Sequence, residues 1–137
     1  MLDSTFLEKK IHFLGSCGTL MAGLCQLADD LKLDFSGSDK APSPPMSNLI
    51  PRSCHYTLED EKYLEADYVV VGNVFKYTDD IIREIRMHGI KIISSMDFLS
   101  VIIRGKTVIA VCGTHGKSTT TSLVSWIMQC AGLEPSY

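Results

Sequence analysis

Apolar and polar positions along the chain fall into short runs of two kinds that alternate. Residues 10–14 read as a β strand, which opens into the turn Gly15-Ser16-Cys17-Gly18. From residue 19 to residue 31 the leucines at 20, 24, 27 and 31 then recur at helical spacing, which predicts a helix with that stripe inward. The same grammar returns near the other end. Residues 107–111 predict a strand, Cys112-Gly113-Thr114-His115-Gly116 a glycine-containing turn, and residues 117 to about 131 a helix. Leu123, Ile127 and Cys130 lie on one face of that helix and Gly132 serves as its stop. Between these ends the pattern predicts strands at 34–36, 68–71 and 90–93, helices at 78–88 and about 96–103, and a proline-rich loop at 39–46. Residues 51–67 show no clear period: His55 and Tyr56 fit the end of a short strand and residues 59–66 a charged helix.

Strands that alternate with helices predict the α/β class, a Rossmann-like, mostly parallel sheet with helices on both faces. In such folds ligands sit beyond the carboxyl ends of the strands, so the loops after Leu14, Ser36, Val71 and Val111 are where chemistry is expected. Arg104-Gly105-Lys106 is polar punctuation between a finished alternation and a strand that starts its own glycine loop. It marks a boundary between a domain at 1–103 and a segment at 104–137 that holds only one strand, one loop and one helix.

Composition narrows the function classes. The 137 residues are 45% hydrophobic and 21% charged, which fits a globular protein and excludes a low-complexity or disordered chain. Thirteen Lys and Arg against sixteen Asp and Glu give a net charge of −3, without the basic footprint of a general nucleic-acid binder. Apolar runs are far shorter than the roughly 18 residues of a membrane span, and Asp3 and Glu8 exclude a secretory signal at the start. Five cysteines, Cys17, Cys25, Cys54, Cys112 and Cys130, form no C-x-x-C pair. They read as reduced, mostly buried thiols of a cytoplasmic protein, neither a disulfide framework nor a zinc site.

Gly113-Thr114-His115-Gly116-Lys117-Ser118-Thr119 carries the strongest chemical signal. Glycines let backbone N–H groups turn inward around a phosphate, Lys117 adds a point charge, and Ser118 offers a hydroxyl to Mg²⁺. The helix that begins there directs its positive end at the same anion. Val111 stands where G-x-x-x-x-G-K-[ST] has its first glycine, and the plain alternative is an ordinary turn with an exposed lysine. Gly15, Gly18 and Gly23 resemble a dinucleotide fingerprint, but Cys17 takes its second glycine position. Asp39 follows near the offset of about 20 residues at which an acidic side chain reaches ribose hydroxyls. Taken alone, these residues fit a nucleotide loop or merely tight strand-to-helix packing with a turn at Ser38-Asp39. Gly72-Asn73 is a third turn at the same sheet edge. His12 and His88 read as a packed and a capping residue, Met21, Met46, Met87, Met96 and Met128 as packing, and Glu59-Asp60-Glu61 as a solvated face.

From about residue 10 to residue 137 the sequence resembles the amino-terminal part of the Mur ligase family, the ATP-dependent amide ligases of peptidoglycan assembly. Residues 113–120 resemble that family's ATP loop, with Ser118 where Thr is more usual and the hydroxyl kept. His115, where other branches carry Asn, resembles the branch that takes UDP-N-acetylmuramate itself. Gly15-Ser16-Cys17-Gly18-Thr19-Leu20-Met21, Gly37-Ser38-Asp39, Pro44-Pro45-Met46-Ser47 and Gly72-Asn73 are most similar to the members that add a peptide, the L-alanine-adding members being the alternative. The resemblance implies that 1–103 binds UDP-N-acetylmuramate, with Gly15, Ser16, Cys17, Gly18 and Thr19 near the diphosphate, Asp39 near the uridine, and Gly72 and Asn73 along the same edge. It implies ATP and Mg²⁺ as cofactors, held by Gly113, Thr114, His115, Gly116, Lys117, Ser118 and Thr119, with Ser118 on the metal and Lys117 as the catalytic cation. In the family the muramoyl carboxylate becomes an acyl phosphate, which the incoming amine attacks. The expected activity is therefore that of a ligase part, a truncated ATPase domain included. It binds its nucleotide sugar and needs a carboxyl-terminal partner to receive a peptide or amino acid. A binding module, half of a split ligase, and a nicotinamide oxidoreductase are the competing classes.

Overall fold

The computed structural model describes residues 4–137, which divide after Arg104 into two compact units. The first is built on five parallel strands: β1 (Ile11–Leu14), β2 (Phe35–Asp39), β3 (His55–Thr57), β4 (Tyr68–Val71) and β5 (Lys91–Ser94), in the spatial order β3-β2-β1-β4-β5. Helices α1 (Thr19–Asp30), α2 (Asp80–Met87) and α3 (Ser95–Ile102) connect or flank them. Registers are regular, Ile11 pairing with both Phe35 and Tyr68, and Tyr68 in turn with Lys91. Because strand side chains alternate, β1 is buried on both faces. Ile11, Phe13 and Val70 pack beneath Met21, Leu24, Cys25 and Ala28 of α1 and Phe98 and Val101 of α3. On the opposite face Leu14 and Val69 meet Ile82 and Ile85 of α2 and the ring of Tyr63. Helices thus cover both faces, as the alternation predicts. Phe13 and Phe98 meet edge to face with centroids 5.0 Å apart, and each such buried aromatic contributes roughly 1.5–3 kcal/mol by area alone.

Several local expectations are corrected. The buried face of α1 is Met21, Ala22, Leu24, Cys25 and Ala28, whereas Leu20 and Leu31 are exposed. Helix and sheet meet over a face wide enough to take small residues, so four leucines at the right spacing misplace it by about one position. Strand β2 runs on through Gly37, Ser38 and Asp39, because the parallel ladder with β1 continues to Leu14 paired with Ser38. Residues 59–66 form no helix. Two 3-10 turns, Leu58–Asp60 and Lys62–Glu65, are separated by Glu61 in the left-handed conformation. Asp60 is more than a solvated charge: it accepts from the Thr57 backbone N–H at 2.7 Å and hydroxyl at 2.8 Å, closing a capping box. Met87 and Met96 are exposed and only Met21 of the five methionines is buried. Cys17 and Cys25 are buried, Cys54 is half-buried, and Cys112 and Cys130 are exposed, all as free thiols.

The second unit, Gly105–Tyr137, contains helix α4 (Lys117–Cys130) and the turn before it. Residues 107–111 do not form the expected strand. A strand is defined by its ladder, and no neighbouring strand pairs with this segment among the described residues. The face of α4 bearing Leu123, Ile127 and Cys130 is exposed for a related reason, since nothing in its own unit lies over it.

Candidate functional site

The strand order places a topological switch at β1. From there the chain winds outward to β2 and β3, then returns to β4 on the other side. A crevice is expected where the loops after β1 and β4 diverge, and the structure brings Gly15, Ser16, Cys17, Gly18, Thr19, Asp39 and Gly72 to that edge.

The first loop is fixed by its backbone. Gly15 N–H and Ser16 N–H both donate to the carbonyl of Ser38, at 2.8 and 3.1 Å. Cys17 N–H donates to Asp39 Oδ2 at 2.8 Å, and the other carboxylate oxygen accepts from Lys40 N–H at 2.7 Å. Asp39 is therefore the last residue of β2 and an anchor of the loop, a role that spacing alone does not disclose. Gly18 N–H closes back on the Gly15 carbonyl at 3.2 Å. Gly15 has φ +81°, and a Cβ there would lie 2.8 Å from Cε2 of Phe75, so both conformation and space require glycine. On the far side, Gly72 N–H donates to the Leu14 carbonyl at 3.2 Å, and the exposed Asn73 follows it.

Helix α1 starts on this loop. Gly18 is its N-cap, without a side-chain cap, and the first intrahelical bond runs from Ala22 N–H to the Gly18 carbonyl at 2.8 Å. The N–H groups of the opening turn, from Thr19 on, have no acceptor within a helix, and the helix dipole adds partial positive charge there. A glycine turn leading into such a terminus suits an anion such as a phosphate.

The sequence pattern gives no sign of Phe75, treats His12 only as packing and Ser38 only as part of a turn, and places Ser36 only at a strand end. His12 is 0% exposed. Its Nδ1 lies 2.8 Å from Ser36 Oγ and its Nε2 2.8 Å from Ser38 Oγ. Burial lowers its pKa to about 3, so the ring is neutral, one nitrogen donating and the other accepting. The signal was present as Ser36-x-Ser38, two hydroxyls on one face of a strand, but only sheet pairing shows that a histidine sits opposite. Tyr63 meets the ring edge-on at 6.1 Å and donates its hydroxyl to Glu84 of α2 at 2.9 Å. Burial, with that carboxylate second, pushes the Tyr63 pKa up to about 12. Burial likewise raises Cys17, with the charge of Asp39 adding to it, so the thiol in the loop stays protonated and is a poor nucleophile.

In the second unit Gly116, φ +77°, is the N-cap of α4, a left-handed conformation that suits glycine. Lys117 folds back over its own turn, its Nζ donating to the carbonyls of Gly113 at 2.8 Å and Thr114 at 3.3 Å. Thr114, His115, Ser118 and Thr119 are exposed around it. An ammonium poised over a glycine turn at the start of a 14-residue helix fits a polyphosphate, and the exposed Ser118 hydroxyl is a hard oxygen suited to Mg²⁺.

A doubly wound parallel sheet with a glycine turn at its switch point defines a Rossmann-like α/β protein, and that turn and the second one, with its lysine at a helix start, are each of a kind that suits phosphate groups. More narrowly, the family model described as "Mur ligase family, catalytic domain" matches residues 10–107, and the chain belongs to that family. It is 35% identical over 133 residues to UDP-N-acetylmuramate--L-alanyl-gamma-D-glutamyl-meso-2,6-diaminoheptandioate ligase of Escherichia coli (strain K12), covering 93% of this chain and 29% of the relative. Against UDP-N-acetylmuramate--L-alanine ligase of Kineococcus radiotolerans the identity is 31%, over 93% of this chain and 28% of the relative. The crystal structure of a murein peptide ligase from Psychrobacter arcticus 273-4 superposes with a TM-score of 0.82 at 39% identity, covering 90% of this chain and 27% of that one. The chain thus spans less than a third of the length of these relatives.

Proposed function

We propose that this chain is the amino-terminal, UDP-N-acetylmuramate-binding part of a cytoplasmic ligase that joins a peptide to that nucleotide sugar in peptidoglycan synthesis or recycling. Residues 1–103 form its nucleotide-sugar domain and residues 104–137 the opening of its ATP-binding domain. The carrying observation is the loop at the switch point, held by Ser38 and Asp39 so that it opens α1 toward the crevice. Gly15, Ser16, Cys17, Gly18 and Thr19 receive the diphosphate, Gly72 and Asn73 line the far wall, and Asp39 acts chiefly by holding the loop that faces the ligand.

Gly113, Thr114, His115, Gly116, Lys117, Ser118 and Thr119 hold ATP, with Ser118 on Mg²⁺. When bound, ATP supplies the phosphoryl group that activates the muramoyl carboxylate toward an amine. The work of this chain is positioning and charge neutralisation, with Lys117 leaving the carbonyls of Gly113 and Thr114 to meet phosphate oxygens. No helix among the described residues is long and apolar enough to cross a membrane.

Titration calorimetry with UDP-N-acetylmuramate tests it. Saturable binding is expected, and NADH is not expected to compete. Absence of binding, or a preference for NADH, overturns the reading. A second reading, half of a split ligase completed by another polypeptide, is favoured by α4, where Leu123, Trp126 and Ile127 are 58%, 66% and 65% exposed. Adding the remaining domains of a related ligase in trans and assaying amide formation tests it, and the amine accepted, tripeptide or L-alanine, reports the branch.

A further inference from the structure

We propose that His12 is a positioning residue for the nucleotide-sugar loop, acting through Ser38. The inference rests on the reading of that loop given above. Strand β1 supplies the imidazole and strand β2 the two hydroxyls, and the ring spans Ser36 and Ser38 with one nitrogen each at 2.8 Å. Only Ser38 leads to the loop. Its side chain is held by Nε2, while its carbonyl accepts from both Gly15 and Ser16, and its neighbour Asp39 accepts from Cys17. Three consecutive N–H groups of the loop are thus tied to two consecutive residues of β2, and the first of those residues is fixed from the other face of its strand by His12.

The ring itself has little freedom. Tyr63 packs edge-on against it at 6.1 Å, and Tyr63 is tied to α2 through Glu84 at 2.9 Å. Space is equally restricted at the strand: a Cβ on Gly37, between the two serines, would lie 2.8 Å from the Ser16 Cβ. A shift of β2 along its axis therefore moves the loop with it, and a hydrogen bond that pins Ser38 sets where the N–H groups at the start of α1 point. Ligand loops that must hold an anion to within a fraction of an ångström depend on such supporting bonds.

The two nitrogens allow a clean test. An asparagine amide reaches about as far as Nδ1 and a glutamine amide about as far as Nε2. His12→Gln therefore retains the bond to Ser38, and His12→Asn the bond to Ser36. Glutamine is one methylene longer, so H12N also leaves more empty space, and each variant leaves one serine hydroxyl without its partner. Amide hydrogen exchange, followed residue by residue in the full chain, is expected to show Gly15 and Ser16 protected in H12Q to within about threefold of the parent. In H12N they are expected to lose tenfold or more relative to β4. Calorimetric affinity for UDP-N-acetylmuramate follows the same order. Ile85→Ala, a buried residue of α2 in the core cluster on the same face, serves as the control: it lowers protection throughout the unit without singling out the loop. Equal loss of Gly15 and Ser16 protection relative to β4 in H12Q and H12N overturns the proposal, because a packing role alone, the methylene by which the two side chains differ included, weakens the unit without singling out the loop. If the parent protein fails to bind the nucleotide sugar while H12Q and H12N still differ in loop protection, the functional reading fails and the positioning role stands.

Discussion

Acidification offers a direct measure of how the buried histidine supports the fold. His12 titrates near 6.5 when exposed and near 3 in the folded chain, because burial disfavours the imidazolium. The folded state therefore binds fewer protons than the unfolded state between those values. The sign follows: the stabilisation is fully present above pH 6.5 and is lost progressively as pH falls toward 3. Each pH unit within the window corresponds to about 1.4 kcal/mol. Lowering the pH from 7.5 to 4.5 is thus expected to remove about 2–3 kcal/mol through this one group, a large share of the roughly 5–15 kcal/mol typical of a domain. The assay is urea denaturation of the full chain followed by circular dichroism across that range, for the parent and for His12→Phe. Phenylalanine leaves two buried serine hydroxyls unpaired, each costing about 1–3 kcal/mol. The triple variant H12F with Ser36→Ala and Ser38→Ala removes those hydroxyls as well and keeps the comparison possible. Carboxylates held low by their partners, Asp60 by Thr57 and Glu65 by Lys62, also weaken the fold on acidification. They do so equally in every variant, so the difference in slope isolates the imidazole. Parallel pH profiles for parent and triple variant, within about 0.5 kcal/mol, would refute the reasoning.

Three further outcomes follow from the same geometry. Asp39→Ala removes the acceptor of Cys17 N–H and Lys40 N–H; a loss of about 1–3 kcal/mol is expected in chemical denaturation, together with at least tenfold weaker binding of UDP-N-acetylmuramate by calorimetry. Gly15→Ala meets both the positive φ and the Phe75 ring at 2.8 Å. Adding Phe75→Leu is expected to recover the steric part of the loss in melting temperature and leave the conformational part, about 1 kcal/mol. Lys117→Met, in an exposed turn, is expected to change stability by less than about 0.5 kcal/mol, abolish ATP binding measured by equilibrium dialysis, and leave nucleotide-sugar affinity unchanged.

The sequence made the repeating βα order legible because burial on both faces of a parallel sheet leaves dense apolar runs, as at Val69-Val70-Val71, and because glycines stand where the chain must turn. It was silent where structure depends on partners distant in the chain. Whether 107–111 is a strand depends on a neighbour to pair with, and local pattern carries no information about that. The inward face of α1 depends on where the sheet lies, and small residues such as Ala22 and Ala28 mark it better than Leu20 and Leu31. Glycine marks the candidate loops, whereas of the groups that hold the first one His12 looks in the sequence like an ordinary strand residue and Ser38 like the start of a turn, although it belongs to β2.

The two glycine loops differ in how they are held, and the difference has a chemical meaning. The loop after β1 is bonded to β2 at Ser38 and Asp39, so its N–H groups are arranged before any ligand arrives. Little ordering then remains to oppose binding, which is the condition for affinity from a few backbone contacts. The loop before α4 is held differently. Its lysine satisfies itself on the carbonyls of Gly113 and Thr114, and those bonds must be exchanged for bonds to a phosphate. On the proposed function a polyphosphate draws Lys117 away and supplies the negative charge that the helix terminus favours, so the second loop would be one that its ligand rearranges. Preorganisation at the first loop then suits, on that proposed function, retention of the nucleotide sugar, and rearrangement at the second suits exchange of ATP.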